Sequence, residues 1–508
     1  MENNGFAQFT TKINRFQNGA NLRVLDLFSG CGGLSLGFQR AGFEIVGGVE
    51  IDPKAASSHA QNLFGGRPSL DIERHSQTED ITKTTPEKYR NTILLPDNRE
   101  NDVDIIVGGP PCQAFARIGR AKLQDLSQHP EDYLLDQRAN LYIRLLQYVD
   151  YFKPLAVLIE NVPDILNYGK VNIAEEIIAS LNDLGYISKY SLLNCANFGV
   201  PQNRIRFFLI AYPAFLELEP AFPAPTHHVD LPNGYRQILT SSLKLVLQNP
   251  YNNYIGVHEP VDQLNHAVGA KAALDDLPVI NEHLEIGAKQ RIRKFGELIP
   301  YRNGVELSLY VRDLMCSWPG FEAGEGIIDH VIRYLPRDYE IFRRMNYGDE
   351  YPRAQKIAIE ILNRELQRIF DETGINVRGG SEEYQRLYKK HVPPYDPSKF
   401  ANKWWKLVPE NPSRTLTAHI GKDTYSHIHY DSNQARVISV REAARLQSFP
   451  DGFRFSGPMN DAYRQIGNSV PPLMSYSLAE KIKESLRTHL VQHLVYGFLT
   501  RNEVRLNG

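Results

Sequence analysis

Cys112 is the residue whose surroundings first invite chemistry. It follows Gly108, Gly109, Pro110 and Pro111 in the string GGPPCQAF, just past an apolar run at 103–107. The prolines fix the backbone before it. Reacting groups in open α/β sheets gather at the carboxyl ends of strands. A cysteine placed there can attack as a thiolate once its pKa is lowered. An isolated cysteine is more often a small buried hydrophobe, and the GGPP turn is what favours the nucleophile here. Glu160 opens the string ENV after a second apolar run, 155–159, so it reaches the same edge. Arg204 and Arg206, in QNRIR, alternate along an extended segment and share one face. A nucleophile, a carboxyl group and two guanidiniums can therefore converge by topology alone.

A second constellation lies earlier. The string DLFSGCGGLSLGF, 26–38, follows an apolar run and opens a helical pattern. Glycines there let a ligand approach the backbone, and a helix N-terminus offers free N–H groups. The dinucleotide fingerprint fails, because Ser35 stands where its third glycine belongs. Glu50 ends the next apolar run, the position from which an acid takes ribose hydroxyls. The pattern suits an adenosine ligand that need not carry a pyrophosphate. A plain tight turn is the competing reading of the loop alone.

These groups need a scaffold of alternating strands and helices. Strands are expected at 22–28, 43–50, 103–107, 155–159 and 205–211, with helices at 34–40, 53–63, 138–152 and 174–184. That rhythm predicts βαβ units and an α/β, doubly wound, mostly parallel sheet. After 211 prolines punctuate the chain and the rhythm stops. The segment 213–411 reads as a separate, less regular region with a helical pattern at 353–370, and from 411 onward motifs return.

Composition bounds the rest. The chain has 508 residues, 42% hydrophobic and 23% charged, with Lys and Arg against Asp and Glu giving 57 − 59 = −2. It is not a basic nucleic-acid coat as a whole, which leaves a local basic face open. Four cysteines do not make a disulfide framework, and a reducing compartment is expected. Cys31, Cys195 and Cys316 read as structural. No apolar run reaches signal-peptide or membrane-span length. A soluble cytoplasmic protein, a monomer without a membrane partner, is expected.

The ordered set DLFSGCGG, GGPPCQAF, ENV, QNRIR, RTLTAH and GNSVPP resembles the C5-cytosine-specific DNA methyltransferase family over residues 22–212 and 412–473. VREAARLQSFPDGF, 440–453, is similar to the bacterial members. The resemblance implies a class I S-adenosylmethionine-dependent methyltransferase fold with a second, less regular target-recognition domain. It divides the chain into a catalytic domain, 20–212 with 463–490, and a recognition domain, 213–462. The implied methyl donor is S-adenosyl-L-methionine, and no metal is implied. Phe28 would stack on the adenine, with Gly30, Gly32 and Gly33 making room for the methionine part. Glu50 would hold the ribose and Ile51 would pack on the adenine. Asp80 and Ile81, in TEDIT, match the family's adenine-contacting pair. Pro110 and Leu141 would line the pocket, and Asn468 and Ser469 would close it. Cys112 would attack C6 of a flipped-out cytosine, Glu160 would engage N3 and the exocyclic amine, Arg206 would bind O2, and Arg204 would orient the base and Glu160. The loop from Ala114 to about Leu134 would close over the base. Ala116 departs from the family, which usually has serine there, and this puts one phosphate contact in doubt.

The implied substrate is double-stranded DNA, and the implied setting is the bacterial nucleoid, with a cognate restriction endonuclease acting on the same site. Two alternatives remain at this point. One is the tRNA-methylating branch, although its Cys-Phe-Thr string is missing here. The other is a catalytically dead DNA-binding scaffold, against which the intact Cys112, Glu160, Arg204 and Arg206 argue. Arg386, Lys389, Lys390, Lys399, Lys403 and Lys406, interleaved with Trp404 and Trp405, suit a phosphate-contacting face. The tryptophans could instead pack a domain core. His419, His427 and His429 read as structural rather than metal-binding.

Overall fold

The computed structural model describes residues 2–93, 103–111, 140–168, 171–249, 252–256, 264–285, 293–322 and 324–506. Its centre is a six-stranded sheet of β1 (Arg23–Leu27), β2 (Glu44–Val49), β3 (Ile105–Gly108), β4 (Ala156–Asn161), β5 (Tyr186–Asn194) and β6 (Ile205–Pro213). The spatial order is β2-β1-β3-β4-β6-β5. Pairing is parallel from β2 through β4, while β6 runs antiparallel to both β4 and β5.

Successive side chains on these strands enter two different cores. Val24, Ile105, Leu158 and Phe208 belong to one, and Leu25, Ile106, Val157 and Phe207 to the other. Strands buried on both faces have no polar side, which is why they read as continuous apolar runs. The helix α1 (Glu2–Gln17), not among the expected helices, docks at the amino edge of the sheet. Lys12 there donates to the carbonyls of Val103, Phe152 and Lys153. The first core takes in α2 (Gly33–Arg40) and the C-terminal helix Pro472–Leu506, and the second takes in Asn140–Phe152 and Ile173–Asp183. The expected βα rhythm is present with ends shifted by a residue or two. β5 is an addition to the expected strands: Ser188, Lys189 and Ser191 break its apolar run, although both serines are buried.

The helix expected at 353–370 spans Tyr351–Thr373 and stops at Gly374, whose φ of 73° takes the left-handed turn a helix end favours. Residues between 339 and 437 form a third core around Trp404, which stacks on Tyr425 with centroids 4.5 Å apart. Among the described residues no helix is long and apolar enough to cross a membrane.

Candidate active site

The order β2-β1-β3 reverses direction at β1, and open α/β sheets bind ligands at such a point, beyond the carboxyl ends of the strands. Here the turn after β1 is held in unusual backbone: Phe28, Gly30 and Gly32 have φ of 62°, 55° and 101°. A non-glycine residue in that region is strained, and such strain gathers at functional sites. A Cβ on Gly33 would overlap Ser469 Oγ and the Val470 carbonyl oxygen. Glycine at 33 is therefore what lets the GNSVPP segment lie against the loop.

Glu50, at the end of β2, accepts from Gly30 N–H at 2.8 Å and from Asp52 N–H at 2.8 Å. Burial pushes its carboxyl up, and those two backbone donors pull against it. Ile51 beside it is 64% exposed. The Glu50 carbonyl accepts from Glu79 N–H, which brings Asp80 and Ile81 alongside. Asp80 accepts from Thr82, and Ile81 is buried in the second core, on which Phe28 and Leu141 also pack. The Pro110 carbonyl accepts from Asn161 at 2.8 Å. Asn468 is exposed and Ser469 buried.

Because β6 is antiparallel, its first residues meet the end of β4. Arg206 Nε lies 3.1 Å from Glu160 Oε1. Burial raises the Glu160 pKa, Arg206 and then Arg204 oppose it, and burial prevails. Pairing in register sets Gly108 beside Ile159, and a Cβ on Gly109 would stand 2.9 Å from Glu160 Oε2. Cys112, Ala116 and the loop expected to close over the base lie outside the described residues.

Arg204 is placed differently from Arg206. It is 2% exposed, and its guanidinium donates to the carbonyls of Leu416, Gly467 and Ser469 at 2.5, 3.1 and 2.9 Å. Sequence reasoning also passed over a buried group beneath the glycine loop. Ser35 Oγ donates to Asp26 at 2.6 Å and meets His59 Nε2 at 3.1 Å. Burial pushes Asp26 up to about 7. An acid inside an apolar strand was the available signal.

A cleft of about 1720 Å³ opens between Asn203 and Tyr235 on one side and Trp405 and Arg414 on another. Arg414 lies 3.7 Å over the Trp405 ring and pairs with Glu350. The two tryptophans thus differ: Trp404 is core and Trp405 lines the cleft. The expected basic face loses Lys406. It is fully buried and donates to the Phe342 and Met345 carbonyls and to Ser432 Oγ, which leaves it no donor for a phosphate. Lys403 pairs with Asp423, while Arg386, Lys389, Lys390 and Lys399 remain exposed. His427 and His429 are buried and hydrogen-bonded, and His419 is exposed. Among the described residues no group of three or more His, Cys, Asp or Glu could hold a metal ion.

A doubly wound, mostly parallel sheet with this glycine loop is the class I S-adenosylmethionine-dependent methyltransferase fold. A solved structure described as a DNA modification methyltransferase encoded within a prophage of E. coli superposes with a TM-score of 0.55, covering 92% of this chain and 100% of that one at 21% identity. The C-5 cytosine-specific DNA methylase family matches residues 22–303 and 329–484, and the chain belongs to that family. It is a DNA (cytosine-5)-methyltransferase. A chain of Oceanobacillus iheyensis whose name, M.OihORF3336P, places it with the type II methyltransferases is 36% identical over 468 residues, covering 91% of this chain and 96% of that one. The type II methyltransferase M.AgeI of Thalassovita gelatinovora is 29% identical over 483 residues, covering 92% and 100%.

Proposed function

We propose that this enzyme methylates C5 of a flipped-out cytosine in a specific duplex DNA sequence, through a covalent bond between Cys112 and C6. The observation that carries the reading is the Glu160–Arg206 pair, held beside Gly109 at the strand edge that leads to Cys112. The donor site proposed is the loop of Phe28, Gly30, Gly32 and Gly33 with Glu50, Ile51, Asp80, Ile81, Pro110, Leu141, Asn468 and Ser469. Its residues fit S-adenosylmethionine. The Glu50 carboxylate suits ribose hydroxyls, the uncovered Ile51 suits an adenine face, and Ser35 stands where a pyrophosphate-binding fingerprint has its third glycine. Bound there, S-adenosylmethionine would supply an activated methyl group.

The chain's own residues do the rest. The Cys112 thiolate adds to C6 while Glu160 gives a proton to N3, and Arg206 faces the charge that develops at O2. C5 thereby becomes an enamine carbon, able to take a methyl group. Transfer of the C5 proton to solvent water then expels Cys112 as thiolate, and N3 returns its proton to Glu160. The raised pKa of Glu160 supports this role, because a carboxyl must hold a proton to donate it.

We assign chemistry to 20–212 with 463–490 and base reading to 213–462, where the separate core between 339 and 437 supports an independent reading surface. The type II names of the relatives support a role as the modification half of a restriction–modification pair. The deciding experiment gives the purified chain labelled donor with duplex DNA or tRNA, and follows it with bisulfite sequencing of DNA from expressing cells. Label on tRNA alone, or no protected cytosine in any sequence context, would overturn the reading.

A further inference from the structure

Arg204, Gln202 and Gln447 meet in the interior where segments far apart in sequence come together. The Arg204 donors reach Leu416, Gly467 and Ser469. Gln202 accepts from Leu416 N–H at 2.8 Å and donates to the Leu446 carbonyl at 3.2 Å and to Gln447 Oε1 at 2.5 Å. Gln447 in turn donates to the Ser469 carbonyl at 2.5 Å. That carbonyl therefore takes two bonds from this group. The Arg204 backbone is held as well, since its carbonyl accepts from Cys195 N–H at 2.9 Å. A guanidinium is a rigid planar fork, so its hydrogen bonds fix the relative positions of the oxygens it binds. A buried cation whose hydrogen bonds go to carbonyls is costly to keep, which makes a merely convenient packing role a poor account of it.

We propose that Arg204, with Gln202 and Gln447, is a positioning clasp that anchors the 467–469 segment against Gly33 and at the same time sets the start of β6, which carries Arg206 to Glu160. Donor site and base site then share one anchor. The inference rests on the reading that Gly33 and Ser469 border the donor. It makes Arg204 a positioning residue, in contrast to a residue that touches the cytosine.

The test is a calorimetric titration of the full chain with S-adenosylmethionine in the absence of DNA. It compares wild type, Arg204→Lys, Arg204→Met and Gln447→Met, and melting curves are recorded alongside. Arg204→Met and Gln447→Met should each weaken donor binding at least tenfold. Arg204→Lys should recover part of that affinity, because an ammonium still donates to carbonyls. The kcat of Arg204→Met should fall together with its donor affinity, because both sites share the anchor. Wild-type donor affinity in every variant with a fall in kcat would place Arg204 on the base and overturn the clasp. If Arg204→Met does not fold, wild-type affinity in both Gln447→Met and Arg204→Lys overturns it equally. A wild-type chain that binds no donor overturns the donor-site reading, and the clasp with it. Unchanged affinity in the variants beside tight wild-type binding removes the clasp alone.

Discussion

Glu160 and Glu442 are both buried glutamates facing an arginine, and they come out opposite. Glu442 accepts from Arg436 through both nitrogens of its fork, each at 2.7 Å, and from Ser439 N–H at 2.7 Å. Burial pushes its carboxyl up, but Arg436 and His429 outweigh that and hold it well below the usual range. Glu160 meets Arg206 at 3.1 Å, and its second oxygen faces the bare backbone of Gly109. Burial prevails there and the pKa is raised. Both have a cation nearby; at Glu442 the charge attraction of the forked Arg436, with His429, exceeds the cost of burial, and at Glu160 the attraction of Arg206 and Arg204 does not. Glu442 is closed on its partners and belongs to a structural network of buried charges. Arg445, on the same short helix, forms a second buried cluster, forked to Asp276 and Asp451. Glu160, paired with Arg206 at one oxygen, is the carboxyl proposed to face a substrate.

The largest effect expected at the chemical edge comes from Cys112→Ala. Methyl transfer should fall at least ~1000-fold, about 4 kcal/mol of barrier, in a labelled-donor assay. Turnover near wild type would remove the covalent mechanism and the reason for an open Glu160.

The contrast itself is tested by paired glutamine variants. Glu442→Gln leaves Arg436 buried without a charge partner and should cost ~3–5 kcal/mol in denaturant unfolding. Glu160→Gln should melt no lower than wild type yet lose transfer. The pH dependence follows from the direction of the shift. The folded pKa of Glu160 lies above its unfolded value, so the stability it contributes is full below the unfolded carboxyl range. That stability is lost as the pH rises through the raised value. The kcat should fall over the same rise, and the stability of the wild type relative to Glu160→Gln should fall with it. Equal destabilisation by both variants would erase the distinction between them.

Glu50→Ala is a smaller perturbation, because it removes an acceptor from a site the backbone still shapes. Donor affinity should weaken by ~1–3 kcal/mol by calorimetry, with the preferred DNA sequence unaltered. Unchanged affinity would place the donor elsewhere. The smallest expected effect sharpens the same comparison among lysines. Lys389→Ala should flatten the salt dependence of DNA binding by about 0.9, the share of a single phosphate that the variant no longer neutralises. Lys406→Met should alter stability and leave that slope alone, since all three of its donors are already bonded inside the protein.

Much of the site was legible because its signals are local. Glycines at left-handed backbone and an acid at the end of an apolar run are set by residues a few positions apart. The sheet was legible for a related reason: strands buried on both faces must be apolar throughout. β5 escaped because an edge strand can bury serines, and Lys406 was misread because a charged side chain reads as exposed until its partners are known. Arg204 and Arg206 look alike in QNRIR, two donors on one face of an extended segment. Their difference arises from Leu416, Gly467 and Ser469, which lie more than 200 positions along the chain. The sequence alone determined which groups the enzyme has and the strand ends that carry them. Tertiary structure decided which of those groups stay unsatisfied, because hydrogen-bond saturation depends on neighbours that local spacing does not encode.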